Sequence, residues 1–135
     1  MLYAVVCVDD DPMILQMLDF QLRKRITNNQ VILEFYTQPQ QAFESIQNMK
    51  DIGVLPVLLV TDFQMPFLNG AELIREVKKT NKPINTIMLS GQANAILVDD
   101  LVNDELLDAY LNKPWDEHDL IEKIIAILER KNIFT

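Results

Sequence analysis

The chain is predicted to fold as an α/β domain, a parallel sheet with helices on both faces. Three observations predict it. Short apolar runs alternate with segments of helical period along the whole sequence. The runs are continuous and rich in Val, Ile and Leu, as strands covered on both faces are. Asp, Asn, Gly and Pro punctuate the junctions between them.

Leu2 to Val8 is the first strand, ending abruptly at Asp9-Asp10-Asp11-Pro12. Pro12 suits the first position of a helix, and Asp11 suits its cap. That helix is expected to end near Arg25, with Met13, Met17, Leu18 and Leu22 as its inward stripe. Val31 to Tyr36 is a second strand. Pro39 opens a second helix carrying Ala42, Phe43, Ile46 and Met49 at helical spacing. Asp51 to Pro56 is expected to be a loop, with Gly53 and Pro56 as breakers. Val57 to Val60 is a buried strand that stops at Thr61-Asp62, and a loop from Phe63 to Gly70 follows. A third helix is expected over Ala71 to Thr80, with Leu73, Ile74 and Val77 inward. Asn85 to Leu89 is a fourth strand ending at Ser90-Gly91, and Ala93 to Asn103 a fourth helix. Ala109 to Leu111 is a short fifth strand followed by Asn112-Lys113-Pro114. Trp115-Asp116 leads into a last helix ending near Lys131. No internal repeat, low-complexity segment or linker interrupts the pattern, so residues 1–135 are read as a single domain.

Charge and composition narrow the function. The net charge of −8 argues against binding a nucleic acid backbone or an anionic membrane surface, both of which require clustered Lys and Arg. One cysteine, Cys7, allows neither an intrachain disulfide nor a thiolate zinc cluster; its valine neighbours mark it as a small buried strand residue. No segment resembles a signal peptide, and no apolar stretch reaches the roughly 18 residues of a membrane span. The expectation is a soluble cytoplasmic protein.

In an open parallel sheet, ligands bind beyond the carboxyl ends of the strands, where the strand order switches. The first strand delivers Asp9 and Asp10 there, the third Asp62, the fourth Ser90 and the fifth Lys113. Three carboxylates packed together repel one another, and a hard divalent cation such as magnesium relieves that repulsion. Magnesium favours a phosphate as co-ligand, Lys113 is a point charge suited to a phosphoryl oxygen, and Ser90 adds a donor. The set points to phosphoryl transfer, with a carboxylate able to act as nucleophile. Asp11 is read as a helix cap and His118 as a surface residue, with no part in the chemistry.

Val8-Asp9-Asp10-Asp11-Pro12, Asp62-Phe63-Gln64-Met65-Pro66 with Gly70, Ser90-Gly91 and Tyr110-Leu111-Asn112-Lys113-Pro114 together resemble the receiver domain of bacterial two-component response regulators. The resemblance covers nearly the full length. It implies a flavodoxin-like, doubly wound five-stranded sheet of order 2-1-3-4-5 with five helices. It implies that Asp62 is the phosphoacceptor and takes its phosphoryl group from the phosphohistidine of a partner histidine kinase or phosphotransfer protein. Asp10, Asp62 and the backbone carbonyl of Gln64 would ligate Mg2+, with Asp9 acting largely through water. Lys113 and Ser90 would hold phosphoryl oxygens, Ser90 and Tyr110 would form the switch, and Gln64 and Gln92 would flank the phosphate. A cis peptide is implied at Lys113-Pro114. Trp115 stands where many such domains have Phe; Pro114-Trp115-Asp116 resembles receivers joined to signalling output domains, and Trp115 is read equally as only an aromatic lid on the last helix.

Leu120, Ile121, Ile124, Ile125, Ile127 and Leu128 cover more than one face of the last helix, which suggests a protein contact. The resemblance implies that a homodimer or an output domain would use the face of the fourth helix, fifth strand and fifth helix. Two other readings weigh against this signalling switch. A phosphohydrolase with an Asp nucleophile usually carries a second acid two residues on, where this chain has Gln64. A phosphate-independent pseudo-receiver, a pure interaction module, would have lost an acid or the lysine, and none is lost.

Overall fold

The computed structural model describes residues 1–91 and 95–135, and side chains at 1–91 and 98–135. Five strands, β1 (Leu2–Val8), β2 (Val31–Tyr36), β3 (Val54–Thr61), β4 (Asn85–Ser90) and β5 (Ala109–Asn112), form one sheet of order β2-β1-β3-β4-β5. Every neighbouring pair is parallel. The helices between them are α1 (Pro12–Arg25), α2 (Pro39–Asn48), α3 (Gly70–Thr80), α4 (Ala95–Asn103) and α5 (Glu117–Arg130). The expected start of the fourth helix at Ala93 lies outside the described residues, as does Gln92.

Strand alternation builds two cores. Val5, Cys7, Leu58, Val60, Ile87 and Leu89 face α1 and α5. Ala4, Val6, Val8, Leu59 and Met88 face α2, α3 and α4. Cys7 is buried and free, as its valine neighbours predict. Asp11 caps α1 by accepting from the Met13 amide at 2.9 Å, ahead of Pro12. Asn69 and Glu72 form a reciprocal capping box at the start of α3, at 2.8 and 3.1 Å. Sequence reasoning placed Asn69-Gly70 only in a loop.

Three expectations need correction. The stretch up to Pro56 is not loop: a 3-10 turn at Met49–Ile52 ends at Gly53 in the left-handed region, and β3 begins directly at Val54. Pro56 is tolerated because β4 pairs only from Leu58 onward, so Val54–Pro56 has a strand on one side alone. The β1–β3 register shifts just beyond it, between Ala4 and Val5. Met13 and Met17 do not face inward; Leu15, Leu18, Gln21 and Leu22 do, leaving Met13, Met17 and Phe20 exposed. The apolar surplus on α5 is not a surface: all six residues are buried inside the chain, in the core shared with α1, Ile26 and Ile133. The short segment after α5 turns back to supply that cover, with the Ile133 amide bonded to the Leu128 carbonyl at 2.9 Å.

Candidate functional site

The site lies where the sheet order reverses, at the carboxyl ends of β1 and β3. Asp62 is fixed at both ends of its residue: its amide donates to the Val8 carbonyl at 3.0 Å, and its Oδ1 accepts from the Phe63 amide at 2.8 Å. Asp9, almost wholly buried, accepts from the Asp11 amide through Oδ1 at 2.9 Å. Asp10 points to solvent. One oxygen from each of Asp9, Asp10 and Asp62 lies within 4.8 Å of the others.

Lys113 comes in from β5. Its Nζ donates to Asp9 Oδ2 at 2.5 Å and stands 3.3 Å from Asp62 Oδ2. Its amide donates to the Ser90 carbonyl at 3.2 Å, which ties the end of β5 to the end of β4. The same carbonyl accepts from the Tyr110 hydroxyl at 3.3 Å. The peptide between Lys113 and Pro114 is cis. Ser90 is buried at the end of β4, and Gln64 shares an open cleft with Asp10, Met65 and Asn69.

The structure therefore brings Asp9, Asp10, Asp62 and Lys113 together and ranges Ser90, Tyr110 and Gln64 around them. The nearest partner of the ammonium is Asp9, with Asp62 second. Burial pushes the Asp9 carboxyl above its usual range, more than Lys113 and the Asp11 amide draw it down, and Asp62 adds repulsion. Burial works against the Lys113 ammonium, but Asp9 and Asp62 outweigh it and hold its pKa above the ordinary lysine value.

The donor set of the acidic group is carboxylate oxygen alone, without His or Cys, which suits a hard cation of the magnesium type and not zinc. The repulsion between Asp9 and Asp62 is the kind a divalent charge removes. The residues present thus fit such an ion.

Two features escaped sequence reasoning. Gly70 begins α3 against the backbone of Asp62, with its amide donating to the Phe63 carbonyl at 2.8 Å. Trp115 donates its indole N–H to Gln21 at 2.9 Å, across the chain from α1. Only the Gly in the Phe63–Gly70 loop gave any local signal for the first; the second has none.

Residues 5–125 match the response regulator receiver domain family. Among sequence relatives, the response regulator MprA of Mycobacterium leprae is 27% identical over 128 residues, covering 93% of this chain and 51% of its own length. The sensor kinase CckA of Brucella abortus is 29% identical over 89 residues, covering 66% of this chain and 9% of its own length. The chain thus spans about half, or far less, of the relatives it matches. Among solved structures, a response regulator receiver domain protein (CheY-like) from Methanospirillum hungatei JF-1 superposes with a TM-score of 0.81 at 25% identity, covering 98% of both chains.

Proposed function

The chain belongs to the response regulator receiver domain family, and from that membership we propose that it is a phosphoryl-accepting switch whose acceptor is Asp62. The observation that carries the reading is the ammonium of Lys113 held between the carboxylates that end β1 and β3. A lone turn-forming Asp has no use for a cation brought from β5 at the cost of burying it.

In this reading a phosphohistidine donor presents its phosphorus to a carboxylate oxygen of Asp62. The Asp62 O–P bond forms, the donor's P–N bond breaks, and the electron pair leaves with the imidazole. The Phe63 amide holds Oδ1 and so sets the direction of the other oxygen. Lys113 meets the charge on the phosphoryl oxygens, and Ser90 lies at the β4 end to donate to another. Asp10, Asp62, the Gln64 carbonyl and, behind them, Asp9 would hold Mg2+, which when bound neutralises phosphoryl charge. Phosphorylation gives Lys113 a new anion to pair with in place of Asp9. That local charge change is the input to a switch around Ser90 and Tyr110, whose backbone and hydroxyl are already joined. The protein acts once per phosphoryl group received, as a signal carrier and not as a turnover enzyme.

The donor's docking face is α1. Met13, Met17 and Phe20 stand exposed on it at helical spacing, and Met17 lines a cavity together with Lys113. The buried apolar surplus of α5 no longer argues for a dimer or output domain on the face of α4, β5 and α5.

Incubation with magnesium and acetyl phosphate tests the reading. Intact mass should show one acid-labile phosphoryl group on the wild type and none on Asp62→Asn; an unmodified wild type removes it.

A further inference from the structure

Trp115, the only tryptophan of the chain, stands two residues after Lys113. Its Nε1–H donates to Oε1 of Gln21 at 2.9 Å. Gln21 lies on the inward side of α1 among Leu15, Leu18 and Leu22, and is itself buried. A leucine would pack there without any polar group to satisfy, whereas a glutamine amide must find a partner or lose free energy. The core does not need this residue to be polar. The β5–α5 loop does.

That loop is held at two points. At its start the Lys113 amide is bonded to the Ser90 carbonyl, 3.2 Å away. At its end the Trp115 indole is bonded to Gln21. Only Pro114 lies between Lys113 and that second tie. Ile14 and Trp115 pack against the α1–α5 core, and a half-open cleft lined by Ile14, Met17, Lys113, Pro114 and Trp115 runs beside the loop. A hydrogen bond is directional where apolar contact is not, so the indole tie selects one placement of the loop.

We propose that Gln21 is a positioning residue for Lys113, acting through Trp115: its bond to the indole sets where the β5–α5 loop rests on α1, and thereby where the ammonium stands relative to Asp62. This rests on the reading of Asp62 as phosphoacceptor. It also places the residue that sets Lys113 on the same helix as the exposed Met13, Met17 and Phe20.

The test uses the full chain, magnesium and acetyl phosphate. Gln21→Met, close in volume but lacking the acceptor, and Trp115→Phe, lacking the donor, should each slow phosphorylation about tenfold, the cost of a sub-ångström displacement at a reacting group. The double variant should be no slower than either single, because both break one bond. Gln21→Glu keeps an acceptor oxygen at the same reach and should restore most of the rate. In a Lys113→Ala background, Gln21→Met should change the rate by less than about twofold, since nothing is left for it to position. Trp115 emission should shift in Gln21→Met as the indole loses its acceptor. A wild-type rate in both Gln21→Met and Trp115→Phe overturns the proposal. So does an equal slowing by Gln21→Met with and without Lys113. If either Gln21→Met or Lys113→Ala fails to fold, Trp115→Phe decides alone: slowing supports the proposal and a wild-type rate overturns it. Failure of the receiver reading is separate: there the wild type itself takes no phosphate.

Discussion

Gly70→Ala should disable the site with the smallest possible change in the chain. A Cβ on residue 70 would fall 2.1 Å from the Asp62 carbonyl oxygen, 3.0 Å from its carbon and 3.1 Å from the Phe63 Cα. Close carbon–oxygen contacts in proteins run to about 3.3 Å, so the overlap is about 1 Å. Nothing soft can yield, because all three atoms are backbone. The Asp62 amide is tied to β1 through Val8, and the Gly70 amide is tied to Phe63. Either the start of α3 lifts or the Asp62 peptide turns, and the acceptor carboxylate moves with it. A displacement near 1 Å at a reacting group costs on the order of 10²-fold in rate. Overpacking of this kind also costs about 1–3 kcal/mol of stability. The phosphorylation rate with acetyl phosphate, read by intact mass, and a urea unfolding curve measure both. A variant that phosphorylates at the wild-type rate refutes the steric account of why residue 70 is glycine.

The acidic group should respond to metal: saturating magnesium near 100 times its dissociation constant should add about 2.7 kcal/mol of stability, and Asp10→Asn should largely abolish that gain. Thermal melts with and without magnesium check this, and an unchanged wild-type melting temperature counts against the metal site. Phe20→Glu on the exposed face of α1 should slow transfer from a protein phosphodonor by at least about tenfold relative to transfer from acetyl phosphate, since a charge cannot enter an apolar contact cheaply; equal slowing of both moves the docking face elsewhere. Burial pushes the Cys7 thiol far up, so it should resist alkylation at pH 8 in the native state and react in urea. The unfolded thiol loses its proton near pH 9.0 while the folded one keeps it, so this group makes stability fall as pH rises past that point, and Cys7→Ala should flatten the fall.

Where the sequence misleads, a local rule meets a non-local exception. Gly53 and Pro56 are breakers by composition, yet Val54–Pro56 is strand because β4 starts too late to require a proline N–H. Met13 and Met17 share a helical stripe with Leu18 and Leu22 by spacing, but the inward face is set by where α5 packs, one residue step away around α1. The surplus on α5 looks like an interface until α1 and the Ile133 segment are seen to cover it. The site fares better. Asp9, Asp10, Asp62, Ser90 and Lys113 were all placed by one rule about strand ends, and all stand at that edge.

The sequence by itself determined the five strand–helix alternations, the capping residue Asp11 and the list of groups delivered to one sheet edge. These depend on hydrophobic period and on turn chemistry, which are properties of neighbours along the chain. Tertiary structure decided which groups touch. Lys113 lies closer to Asp9 than to Asp62, Gly70 presses on the Asp62 backbone, and Trp115 finds Gln21. Those contacts join residues as much as 104 positions apart, across strands whose order differs from their order in sequence. Their distances follow from how the layers pack, which no pattern of period two or 3.6 records.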